Sequence, residues 1–446
     1  MPMGRRMALE AATAQRLDCC YTASRTLRYR IALLVLLPTA AALAPQPQPR
    51  STPTKGNNGL AVDGAVDSSE FPGVALDVSA AFFRSESRLS RDVAVLAAAY
   101  ATRRVDGRPR VVDACAGSGA RSLRYARDLP RGCDVLANEP NDETRLRSNV
   151  EALASTTSTF DFASGDAAAL LARRPRAFDV VDVDSFGLSG DVAAAVGAAR
   201  DGGLVLATTT GAAAAGARGA AARAALKARL GCDAASTPAQ NELGLRMLCG
   251  AVARAALAEG AALEPVVSLY AAHGPVFRVA AVVDRRPSPA AVARTAAFAT
   301  SSLVFSPDGA ATAAPAGGAP DAGGDVAGPV WTGPLQGRAA LLAMRADAAG
   351  RGWLGDRGHG RALGRLLDVL VAEADAPDLD ARLYASLDDV ARRAGVATPG
   401  GRAMRAAVEA LGYRAAPTHV DGKGLKTDAP MAALLAAARA ATSSGT

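Results

Sequence analysis

Aromatic residues make up only 4% of this 446-residue chain, which holds three histidines and six cysteines. No two cysteines form a Cys-x-x-Cys pair, so the usual structural zinc site is excluded, and scattered thiols imply no disulfide framework. Lysine is scarce too: of 50 basic residues only four are lysine (55, 227, 423 and 426). Long apolar runs are missing except for the stretch from Ile31 to Ala44. That stretch is short for a bilayer span and suits a signal-peptide core. A net charge of +7 permits a polyanionic partner without demanding one.

What is present begins with a leader. Arg5, Arg6, Arg16, Arg25, Arg28 and Arg30 precede the apolar stretch, and Ala42-Leu43-Ala44 offers small residues for cleavage before Pro45. Residues 1–50 are therefore expected to be an organelle-targeting segment, for a plastid or a mitochondrion. The alternatives are a nuclear or cytoplasmic protein and a single N-terminal membrane anchor. No stable membrane partner is expected for the mature chain. Residues 51–73 are rich in Pro, Gly and Asn and are expected to be linker.

From Val74 onward, apolar strands alternate with Ala-rich helices. Strands are expected at 110–114, 133–138, 178–183, 203–209, 264–270 and 276–283, and helices at 90–102, 120–128, 141–154, 189–200 and 241–259. Such alternation argues for an α/β fold with a mainly parallel sheet covered on both faces. Only His273-Gly274-Pro275 separates the last two strands, which should form an antiparallel hairpin at the sheet edge. Residues 285–327 are expected to be a partly disordered insertion, with a Gly/Ala/Pro-rich run from 306. Residues 328–446 should form a smaller C-terminal domain.

Arg110-Val111-Val112-Asp113 ends in an acid and breaks into Gly117-Ser118-Gly119, as the first strand of a Rossmann-like sheet does where the loop passes under a ligand. A dinucleotide site and an S-adenosylmethionine (SAM) site compete for this turn. The acid closing the strand and Arg121 after the turn favour SAM. Further acids follow: Glu139, after Asn138 at the second strand end, could accept both ribose hydroxyls, and Asp166 at the third could accept the adenine amine. Each acid could equally be a helix N-cap. The fourth strand runs from Phe178 through Asp184 into Ser185-Phe186-Gly187. The exocyclic amine of a base is a poor nucleophile, because its lone pair is delocalised into the ring. A carboxylate accepting its N–H restores density on nitrogen and can take the proton. A neighbouring aromatic stacks on the flipped base. Asp184 and Phe186 fit these two catalytic roles.

With these residues the chain resembles the tRNA (guanine-26, N2)-dimethyltransferases, class I SAM-dependent enzymes. Similar elements are Phe82-Phe83-Arg84 leading to Ser90-Arg91-Asp92, Asp113 through Arg121 and Arg124, Asn138-Glu139, and Asn241-Glu242 with Arg246. They continue with Gly328-Pro329-Val330-Trp331-Thr332-Gly333-Pro334-Leu335, and the tail Gly412-Tyr413-Arg414, Thr418-His419 and Lys426-Thr427-Asp428-Ala429-Pro430. The resemblance implies a methyltransferase domain at 74–284 and a tRNA-binding α+β domain at 328–446. It implies SAM contact by Arg91, Arg121, Glu139, Asp166 and Ala167, beside Asp113, Gly117 and Gly119 of the first turn, and catalysis by Asp184. It implies transfer of one or two methyl groups to guanine N2, with tRNA as partner; no metal is expected, and no zinc because the cysteine pairs are missing. In the tail, Arg414, Lys423 and Lys426 are expected to meet RNA phosphates, and His419 to be a structural or RNA-facing hydrogen-bonder. Three departures stand out: Ser185 replaces the family's proline, Gly211 an aspartate after the fifth strand, and the zinc-type cysteine pairs of some members are absent. Another RNA or protein amino-methyltransferase, and a degenerate SAM- or RNA-binding protein without turnover, are the alternatives.

Overall fold

A computed structural model describes residues 66–67, 70–71, 76–79, 83–153, 157–185, 191–211, 220–306, 311–315 and 325–443. The expected targeting segment, most of the expected linker, and Phe186 lie outside the described residues.

The framework is a seven-stranded sheet of β1 (Arg110–Asp113), β2 (Asp134–Asn138), β3 (Thr159–Ala163), β4 (Phe178–Asp184), β5 (Ala199–Thr209), β6 (Ala262–Ala271) and β7 (Val276–Asp284), in the order β3-β2-β1-β4-β5-β7-β6. The first five are mutually parallel, β7 runs antiparallel to β5, and β6 closes the edge as the expected hairpin. The central strands are apolar on both faces, because a parallel sheet is covered twice. Val112, Val181 and Val183 face one core, closed by α4 (Ala167–Ala172), α5 (Val192–Ala198) and α7 (Gln240–Ala258). Val111 and Val180 face the other, with α1 (Arg88–Thr102), α2 (Ala120–Asp128) and α3 (Glu143–Leu153). Strand β3, at the edge, carries Phe160 and Phe162 only half-buried, which explains its weak apolar signal. Helix α6 (Ala220–Leu230) precedes α7.

Where an insertion was expected, Pro289–Thr300 forms α8, capped by Ser288, and β8 (Ser302–Phe305) pairs with β9 (Ala311–Ala314) and β10 (Asp325–Ala327). Helices α9 (Arg338–Gly350) and α10 (Gly358–Ala374) share the second core of the large sheet with α1. A short α11 (Pro377–Asp380) follows. A separate small core then begins near Leu387, built by β11 (Ala385–Ser386), α12 (Leu387–Ala394), α13 (Gly401–Ala410), β12 (Ala415–Pro417), β13 (Gly424–Thr427) and α14 (Met431–Ser443). Its strand–helix–turn–helix–hairpin order, with β13 between β11 and β12, is the connectivity of a winged helix. No helix among the described residues is long and apolar enough to cross a membrane.

Candidate active site at the carboxyl edge of the sheet

The chain leaves β1 in one direction to build β2 and β3 and in the other to build β4 and β5. This reversal opens a crevice at the strands' carboxyl ends. Gly117 and Gly119 line it with φ of 57° and 83°, a left-handed backbone that suits glycine. A Cβ on Gly119 would also stand 2.8 Å from the Leu146 side chain. Gly119 leads directly into α2, so this helix N-terminus faces the crevice.

Asn138 ties the crevice loops together. It is fully buried, and its Nδ2 donates to the carbonyls of Ala114 and Gly165, both at 2.9 Å, while its Oδ1 accepts from the Gly165 N–H. The sequence marked Asn138 only as part of a motif, though a buried amide ending an apolar strand is itself a signal of loop anchoring. Next to it, Glu139 accepts from the Gly117 N–H at 3.0 Å and from the Asn141 N–H at 2.8 Å. Each carboxylate oxygen keeps one acceptor site for a ligand. Asp166 lies beyond the end of β3 and caps α4 through the Ala169 N–H at 2.8 Å, so the N-cap role is realised. It remains exposed, with Ala167 beside it.

Three acids converge where β1 meets β4. Asp113 is buried and accepts from the Ser122 hydroxyl at 2.8 Å, while its Oδ1 has no partner among the described residues. Burial and the neighbouring Asp182 push its carboxyl up to about 6. Asp182 is fully buried and accepts from the Tyr125 hydroxyl at 2.6 Å. Asp184, last in β4, is the open one, with 31% of its side chain exposed. Arg121 pairs with both Asp184 and Asp182. Arg278 on β7 approaches Asp184 from behind at 3.6 Å; it donates to Thr208 Oγ1 at 2.8 Å and to the Ser90 carbonyl at 2.9 Å. Burial, with Arg121 nearby, pushes Arg278 down to about 9. Sequence reading missed Arg278, although one arginine inside the apolar strand Val276–Asp284 is conspicuous. Burial also pushes the Cys115 thiol up to about 12, away from thiolate character.

Arg91 stands just behind the crevice. It is buried, its Nη2 donates to Glu70 at 2.6 Å, and its Nε has no partner among the described residues. Glu70 also holds Arg124, which pairs with Asp92 at 2.6 Å and Asp128 at 2.5 Å.

Two of the residues expected to meet RNA are buried, and that reading is corrected. Lys426 is 1% exposed; its Nζ donates to Glu242 at 2.6 Å and to the Arg382 carbonyl at 2.6 Å. Arg246, also fully buried, shares Glu242 and donates to the carbonyls of Trp331 and Gly333 at 3.2 and 3.0 Å. The α7, 328–335 and tail motifs thus meet at one buried hub. The His419 side chain is 2% exposed, with Nδ1 2.8 Å from Glu373 and Nε2 accepting from the Tyr270 N–H. A phosphate could reach neither residue without opening the core. Arg414 and Lys423 are exposed, but Arg414 pairs with Asp378 and Asp428, and Lys423 with Asp388.

Comparison with known proteins agrees with this architecture. Residues 65–439 match the family model of N2,N2-dimethylguanosine tRNA methyltransferases. The tRNA (guanine(26)-N(2))-dimethyltransferase of Aeropyrum pernix is 33% identical over 382 residues, which cover 82% of this chain and 90% of that protein. Its counterpart in Methanoculleus marisnigri is 30% identical over 374 residues, covering 79% and 90%. The solved structure of Trm1 from Pyrococcus horikoshii, in complex with S-adenosyl-L-methionine, shares the fold with a TM-score of 0.66 at 22% identity, over 81% of this chain and 95% of that one. The chain belongs to the N2,N2-dimethylguanosine tRNA methyltransferase family.

Proposed function

We propose that the protein transfers one or two methyl groups from SAM to the exocyclic N2 of guanine 26 in tRNA. The observation that carries this reading is the half-open carboxylate of Asp184 at the end of β4, beside a glycine-lined crevice, in a chain of this family. The crevice suits SAM. Gly117 and Gly119 put no side chain in a ligand's way, Glu139 keeps free acceptor sites for a ribose diol, and Asp166 with Ala167 edges the adenine end. Asp113 with its unpaired oxygen, Arg121 and the unpaired Nε of Arg91 would serve the amino-acid end, one carboxylate for an ammonium and two guanidiniums for a carboxylate.

Bound SAM supplies an electrophilic methyl group. The protein's own part is to orient the amine and remove its proton. Asp184 accepts a hydrogen bond from the guanine N2–H, raises electron density on nitrogen and takes the proton as the new N–C bond forms and the methyl's bond to the SAM sulfur breaks, leaving the neutral thioether. Arg121 and Arg278 hold that carboxylate at the crevice mouth. Guanine 26 lies in the tRNA core, so the base must be extruded to reach Asp184, with Phe186 as the stacking partner. Asp184→Ala should bind SAM with wild-type affinity in calorimetry yet transfer labelled methyl groups at least about a hundredfold more slowly. Near wild-type turnover would overturn the role of Asp184. For residues 1–50 we propose organelle targeting, supported by the basic start and the short apolar core. A fusion of residues 1–50 to a fluorescent protein that stays in the cytosol would contradict it.

A further inference from the structure

We propose that the exposed N-terminal part of α10, with the residue that precedes it, is a docking strip for the phosphate backbone of the tRNA, held by Arg357, Arg361 and Arg365; this rests on the function proposed above. With Lys426 and His419 buried, and Arg414 and Lys423 neutralised by aspartates, the tail offers little free positive charge. On α9 and its C-terminal turn each exposed or half-exposed cation also has an acid: Arg338 pairs with Asp375, Arg345 with Asp368 and Arg351 with Asp347. Arg357, Arg361 and Arg365 differ. All three are exposed, and none has an ion pair or a side-chain hydrogen bond among the described residues, although Asp356 precedes the first. Arg361 and Arg365, four residues apart, share one face of α10 with a rise of about 6 Å between them, suited to successive phosphates along a strand, and Arg357 is the extended N-cap residue just before the helix.

Stability does not account for this arrangement. Arg357 and Arg361 stand at the N-terminus of α10, where the helix dipole disfavours cations. Location does. Between them His359 bonds Asp92 of α1 at 2.5 Å, and the first turn of α1 presents the Ser90 carbonyl to Arg278, which faces Asp184. The strip therefore starts against α1, the helix that backs the crevice. A cavity of about 320 Å³ lies beside it, lined by Arg88, Asp92, Arg127, Trp353 and His359, with Arg124 at its base held by Glu70, Asp92 and Asp128.

The test is tRNA binding across a salt series with the full-length chain, comparing wild type with Arg357→Gln/Arg361→Gln/Arg365→Gln and with the corresponding triple Lys variant. Neutralisation should weaken tRNA binding about tenfold or more near physiological salt, and flatten the slope of log affinity against log salt by about two. The Lys variant should keep the wild-type slope, because a phosphate needs the charge and not the guanidinium plane. SAM affinity and thermal stability should hold in both. A Gln variant with the wild-type slope overturns the strip alone. Wild-type protein with no salt-dependent tRNA binding overturns both the strip and the functional reading beneath it.

Discussion

Three carboxylates crowd the junction of β1 and β4, and each meets a different environment. Asp182 is sealed and paired, Asp184 is half-open, and Asp113 is buried with one oxygen unpartnered. The carboxyl of Asp113 moves up to about 6 from 3.8, so its folded value lies above its unfolded one. Ionising it therefore costs stability in full above about pH 6, and the cost disappears below the unfolded value. Asp113→Asn keeps an acceptor for Ser122 and should raise stability at pH 7.5 by on the order of 1–3 kcal/mol, with the gain gone near pH 4. Chemical denaturation at the two pH values checks this, and an equal gain at both would contradict the assignment. Arg278→Met should lower kcat and leave SAM affinity unchanged, since Arg278 steadies Asp184 from behind the crevice. Weakened SAM binding in calorimetry would instead make it a ligand contact. Asp113 and Asp184 were legible in the sequence because each ends an apolar strand. Their unequal burial was not, because it depends on which neighbours pack above them.

Whole elements were read well where the apolar period was strong. The central strands, the closing hairpin and helices α1, α2 and α7 lie where the alternation placed them, within a few residues. The failures have local causes. Helix α8 and strand β8 occupy residues expected to belong to an insertion, and they hold because Ser288 caps the helix and Leu303 and Phe305 reach the core. The tail motif was read as RNA-facing because its lysines are rare, yet Lys426 is the buried counter-charge of Glu242. Sequence spacing cannot show that α7, residues 328–335 and the tail meet at that hub. Lys426→Met would leave buried acid under-compensated and should cost about 3 kcal/mol or more in urea denaturation. SAM affinity should not change. An unaltered denaturation midpoint together with a flatter tRNA salt slope would return Lys426 to the RNA surface.

At the scale of the whole molecule, the proposed function gives a crevice at one sheet edge and the arginines at the start of α10, packed on the adjoining α1, one shared operation. The RNA would be held by its backbone while a single base is drawn to Asp184. Fold class and crevice were legible in the sequence because a strand ending in Asp-x-x-x-Gly-x-Gly has few structural homes. The RNA path was not, since it depends on which of the many arginines remain unpaired after folding. Mass spectrometry of nucleosides and of position-mapped fragments, from unmodified tRNA incubated with purified protein and SAM, tests the central claim most directly. The account predicts a methylated guanine N2, with one or two methyl groups, confined to position 26 and absent with Asp184→Ala. Methylation at another base or position, or none from a protein that binds both SAM and tRNA, would contradict it.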